Sequence, residues 1–113
     1  MMHISTHVLD ICLGQPARDI AVRLEGRDAG GNWQPVAGGS TDTDGRCPLL
    51  EAKQMVTPGI YRLVFDTAAY FAKRNLEALY PSVEITFQVR DGEQHFHIPL
   101  LLGAHGYTTY RGS

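Results

Sequence analysis

Three histidines, two arginines and a tyrosine stand at spacings that could bring them onto one surface. His95 and His97 are two apart in QHFHIPLLL, His7 lies in HISTHVLD, Arg46 follows the loop TDTDG, and Tyr110-Arg111-Gly112-Ser113 occupy the last four positions. Imidazole titrates close to neutrality, so such histidines suit proton transfer, and their ring nitrogens also suit zinc. A zinc site would draw on His7, His95 and His97, yet neither motif offers a neighbouring Asp or Glu to orient the ligands, and the reading is of no metal and no cofactor. Cys12 and Cys47 lack an activating histidine signature, and neither Gly-Gly pair opens a helix after a strand as a phosphate loop would. Taken singly, each residue has an ordinary explanation. A histidine on a solvent-facing strand position is a solvated polar group, Arg46 is a surface charge, and Arg111 blunts a sheet edge.

Whether they act together depends on the elements that carry them. Period-two patterning interrupted by turn signals every 8 to 12 residues or so predicts an all-β sandwich or barrel. HISTHVLD sets Ile4, Thr6 and Val8 against Ser5, His7 and Leu9; after a Gly14/Pro16 loop, DIAVRLEG sets Ile20, Val22 and Leu24 against Arg23 and Glu25. Further strands are predicted at Trp33 to Ala37, Cys47 to Leu50, IYRLVFD (covered on both faces), SVEITFQV, QHFHIPLLL and YTTYRGS. Within DTAAYFAKRNLEALYP the apolar spacing shifts to three and four residues, Asp66 or Thr67 can cap, and Pro81 ends the segment, which predicts one helix of two to three turns. The total is about eight strands and one helix. In QHFHIPLLL, His95, His97 and Pro99 face away from Phe96, Ile98 and Leu100. If the first and penultimate strands share a sheet, His7 and His97 meet on its non-core face.

Composition sets the outer limits. A chain of 113 residues, with 43% hydrophobic and 19% charged residues, suits one domain, read here as residues 1–113 without linker or repeat. The formal charge of −2 is spread along the chain, which argues against nucleic acid and membrane surfaces. No apolar run reaches the ~18 residues of a membrane span, and MMHISTHVLD lacks the pattern of a secretory leader, so a soluble cytoplasmic protein is expected. Cys12 and Cys47 are expected to be reduced and buried.

The segments STHVLDICLGQPA, TDTDGRCP, YRLVFDTAAYF, YPSVEITF, HFHIPLLL and YTTYRGS, in that order and over nearly the whole chain, resemble the transthyretin-like proteins, specifically the 5-hydroxyisourate hydrolases of purine degradation. The closing Tyr-Arg-Gly-Ser separates those enzymes from the hormone-carrying transthyretins of the same fold. The resemblance implies a sandwich of two four-stranded sheets with one short helix. It also implies a homotetramer whose active sites lie between dimers, and no cofactor. It carries over His7, Arg46, His97 and Ser113 as catalytic positions and His7, Arg46, Tyr110, Arg111 and Gly112 as substrate-binding positions. His95 falls outside the motif, as a rim residue.

The implied reaction opens the six-membered ring of 5-hydroxyisourate: water attacks the C6 carbonyl and the N1–C6 bond breaks, giving 2-oxo-4-hydroxy-4-carboxy-5-ureidoimidazoline. Either His7 or His97 suits the base, Arg46 the orientation of a flat anionic ring, Tyr110 a contact with that ring, and Ser113 the orientation of a histidine or the water. Two competing readings remain open at this point, a non-catalytic carrier of a small aromatic ligand in the same channel and a monomeric interaction domain. Fold alone does not separate them.

Overall fold

The computed structural model describes residues 3–50 and 57–113. Alternation builds two sheets with their apolar faces together. The first is organised around β1 (His3–Asp10), which buries Ile4, Thr6, Val8 and Asp10 and turns His3, Ser5, His7 and Leu9 outward. One edge of β1 pairs antiparallel with the two-residue β2 (Gln15–Pro16) and with β5 (Arg46–Leu50). The other edge pairs in parallel with β8 (His95–Leu102), and β9 (Tyr107–Thr109) closes that side. The second sheet runs β4-β3-β6-β7 and is antiparallel throughout, from β3 (Ala21–Arg27), β4 (Trp33–Ser40), β6 (Gly59–Phe65) and β7 (Val83–Val89).

Between the sheets, Ile4, Val8, Leu24, Leu63, Phe65 and Leu100 are fully buried in one apolar cluster. Each such side chain contributes about 1.5–3 kcal/mol. Two buried polar groups of β1 are matched: Thr6 donates to the Ile98 carbonyl at 2.6 Å, and Asp10 accepts from the Cys12 and Leu13 amides, the Tyr70 hydroxyl and Arg74. Burial pushes the Asp10 carboxyl up, but those hydrogen bonds outweigh it and hold it below its usual value. This carboxylate ties the end of β1 to the helix α1 (Thr67–Ala72).

The structure departs from the sequence expectations at several places. The Gln15-Pro16 loop forms a strand stub, so the first sheet has five strands. The helix has six residues rather than two to three turns: Asn75 takes a left-handed conformation at φ 56° and the Leu76 amide bonds back to the Phe71 carbonyl, a closing turn that the leucine spacing does not reveal. Asp66 holds the N-cap position without a side-chain capping bond. On β6 only Val64 is buried on the outer face, while Arg62 lies half-exposed between Glu25 and Glu84 with its guanidinium over Trp33. The final strand stops at Thr109, short of Ser113. Cys47 is buried as expected, but Cys12 is exposed, because it follows β1 in a turn instead of continuing the strand.

Candidate active site

Strand register orders the outer face of the first sheet into rows. Arg46 of β5, His7 of β1 and Pro99 of β8 are mutual partners in one row; Pro48, Ser5 and His97 form the next; His3 and His95 form a third, their rings stacked at 5.2 Å. His7 and His97 are therefore diagonal neighbours on adjacent strands, with Arg46 beside His7. Parallel pairing of strands far apart in sequence is what brings them together.

Each group is held. The turn before β5 is built by Asp42, whose carboxylate accepts the Asp44 and Arg46 amides at 2.9 and 3.0 Å. The Arg46 amide bond is the main influence holding the Asp42 carboxyl below its usual range. Gly45 has φ 78°, and a Cβ there would lie 2.3 Å from the Val8 carbonyl oxygen; the Val8 amide donates to the Gly45 carbonyl at 2.7 Å. The loop is thus latched onto β1 beside His7. The His7 ring bonds through Nε2 to the Asp44 carbonyl at 2.8 Å. A carbonyl only accepts, so Nε2 carries the proton and the lone pair of neutral His7 lies on Nδ1. The exposed Arg46 guanidinium makes no hydrogen bond or ion pair among the described residues.

His97 is half-buried, with Nδ1 2.9 Å from the Ser5 hydroxyl. Burial, then the neighbouring charges of His7 and Arg46, push its pKa below the ordinary histidine value, which keeps the ring neutral at pH 7. The chain end is laid beside it: the Gly112 amide donates to the His97 carbonyl at 2.7 Å, and Thr109 donates to the Pro99 carbonyl at 2.8 Å. Ser5, His97, Gly112 and Ser113, with the His3-His95 stack, line a cavity of about 430 Å³.

The structure therefore gathers His7, Arg46, His97, Gly112 and Ser113 on one face and leaves Tyr110 and Arg111 off it. Arg111, expected at the substrate, turns to the core side: its guanidinium pairs with Glu93 at 2.8 Å, donates to the His95 carbonyl at 2.9 Å and lies 4.4 Å from the Phe96 ring centre. It clamps the chain end onto β8. Tyr110 is exposed and lines a cleft with Phe87 and Phe96 on that same side. The three histidines weighed as zinc ligands do not converge. His7 and His95 lie two rows apart, four residues along paired strands or roughly 13 Å. Ser5, His3 and Asp42 were missed. Ser5 shares its period-two face with His7, and that signal was present in the sequence.

A two-sheet sandwich with this strand order, and a histidine-arginine face on the sheet holding its first and penultimate long strands, is a transthyretin-type domain. The chain belongs to the HIUase/Transthyretin family, whose model matches residues 4–112. It is 43% identical over 111 residues to the 5-hydroxyisourate hydrolase of Mus musculus, covering 97% of this chain and 94% of that protein. The solved structure of Klebsiella pneumoniae 5-hydroxyisourate hydrolase superposes with a TM-score of 0.84 at 34% identity, covering 100% of this chain and 94% of that one. Transthyretin from Sparus aurata superposes with a TM-score of 0.89 at 31% identity, covering 96% and 95%. Fold similarity thus extends to both branches, and the site has to separate them.

Proposed function

We propose that this protein hydrolyses 5-hydroxyisourate to 2-oxo-4-hydroxy-4-carboxy-5-ureidoimidazoline in urate degradation. The observation that carries this reading is the row geometry: His7, His97 and an Arg46 guanidinium without a partner among the described residues lie on one face, in a chain whose relatives are 5-hydroxyisourate hydrolases. A neutral histidine takes a proton from water as its oxygen adds to C6; that proton passes to N1 as the N1–C6 bond breaks. Arg46 supplies the planar fork that holds the anionic ring and offsets the charge developing on the C6 oxygen. The second histidine donates to a ring oxygen, and Ser113 lines the cavity beside His97.

The face is open in a single chain, and we extend the proposal to a homotetramer in which a second dimer covers it. What supports this is a band of exposed apolar side chains at one end of the same sheet. Ile11, Leu13, Leu79, Tyr80 and Tyr107 are all at least 40% exposed, and the Tyr80 and Tyr107 rings meet edge to face. The proposal places the reaction in the cytoplasm, where the exposed Cys12 thiol stays reduced.

The test uses urate oxidase to generate 5-hydroxyisourate in a cuvette and follows its ultraviolet decay. The protein is expected to accelerate that decay, and a preparation lacking Gly112 and Ser113 to do so far less; no acceleration by the intact protein overturns the proposal.

A further inference from the structure

We propose that Ser5 is a positioning residue that fixes both the ring orientation and the tautomer of His97, so that the imidazole presents an Nε2–H donor to the substrate; for its catalytic meaning this rests on the function proposed above.

Three features of the outer face carry it. Ser5 and His97 are register partners on adjacent parallel strands, and Ser5 Oγ lies 2.9 Å from His97 Nδ1. The opposite edge of the ring is pressed by the chain end, where a Cβ on Gly112 would come within 2.7 Å of His97 Cδ2. The ring is therefore held between a hydroxyl at Nδ1 and backbone at Cδ2, and among the described residues Nε2 has no protein partner. The proton follows from donor counting. Ser5 has one O–H, and its hydroxyl makes its one side-chain hydrogen bond among the described residues with Nδ1. A proton on Nδ1 would leave that O–H without its protein acceptor, whereas a hydroxyl donating to Nδ1 pairs both groups within the protein and leaves the imidazole proton on Nε2.

His7 is fixed by different means, through Nε2–H to the Asp44 carbonyl. The two rings thus expose different atoms, a lone pair on His7 Nδ1 and an N–H on His97 Nε2. Ser5 is responsible for the second half of that asymmetry.

Two-bond proton-nitrogen correlation spectra of the ¹⁵N-histidine-labelled tetramer or monomer, recorded without substrate above the pKa of His97, test this directly. The wild type and Ser5→Thr are expected to show His97 as a single Nε2–H tautomer, and Ser5→Ala a mixture of the two. In the 5-hydroxyisourate decay assay, Ser5→Ala is expected to lower kcat about tenfold with KM little changed, and Ser5→Thr to restore most of it. An Nδ1–H tautomer in the wild type, or the same tautomer in Ser5→Ala as in wild type, overturns the proposal. So does equal loss of kcat in the alanine and threonine variants. If the wild type fails to accelerate the decay, the proposed function fails, while the spectra still decide whether Ser5 sets the ring.

Discussion

Gly112 lacks a side chain at a point where His97 fills the available space. A methyl group there meets His97 Cδ2 at 2.7 Å and Pro99 Cγ at 3.3 Å, with the His97 carbonyl at 3.2 Å, and proline and backbone cannot move aside. Gly112→Ala is therefore expected to rotate the imidazole or lift the chain end. That should cost at least about tenfold in kcat/KM, with Tm within a few degrees of wild type because the residue lies beyond the last strand; calorimetry beside the decay assay checks both. His97 also predicts a pH response. Burial and its positive neighbours lower its pKa, so the folded state takes up this proton at lower pH than the unfolded chain does. Its contribution to stability is present above the unfolded value and is lost as pH falls through the folded one. Activity should likewise hold into mild acid and then decline. Removing one positive neighbour by Arg46→Gln should raise the His97 titration midpoint, read by NMR; an unmoved midpoint would leave burial and His7 as the causes.

The loop from Asp42 to Arg46 and the strand it latches onto behave as one unit. Gly45→Ala would place an L side chain at φ 78° and drive its Cβ into the Val8 carbonyl, so a loss of about 2–3 kcal/mol is expected in urea unfolding. The loss of activity should exceed what unfolding explains, because Asp44 and Arg46 move together. Much at this level was legible in the chain. Alternation alone put His7 and His97 on outward faces, since a strand leaves no other choice once Ile4, Val8, Ile98 and Leu100 face the core. Register was not legible: nothing in HISTHVLD says that Ser5 lies opposite His97, and so the serine was passed over. YTTYRGS alternates like a strand to its end, whereas the ladder ends at Thr109 and Arg111 finds Glu93 in the turn, not a hairpin, that carries the chain from β7 in one sheet to β8 in the other, a partner no local pattern specifies. The helix was overlong for a related reason, since Leu76 and Leu79 keep helical spacing beyond a left-handed Asn75.

At the scale of the molecule, alternation and turn spacing reached a sandwich or barrel and the family resemblance supplied the two sheets, but the surface proposed to close the site was not legible, because one chain's pattern does not reveal what a second copy would cover. Ile11 and Leu13, 59% and 48% exposed, follow β1 directly and sit at the end of the site's own sheet. Replacing both with aspartate is expected to leave the fold intact, lower the assembly state on a sizing column and reduce activity with it; a smaller assembly with full activity would show that a single sheet face suffices. The parallel pairing of β1 with β8 has a consequence for synthesis. Ser5 and His97 are 92 residues apart, so at about 5–20 residues per second the first strand leaves the ribosome on the order of ten seconds before its partner exists. For that interval Ile4 and Val8 lack their β8 partners Phe96 and Leu100, and any chaperone that shields this protein would have most to do at its first strand.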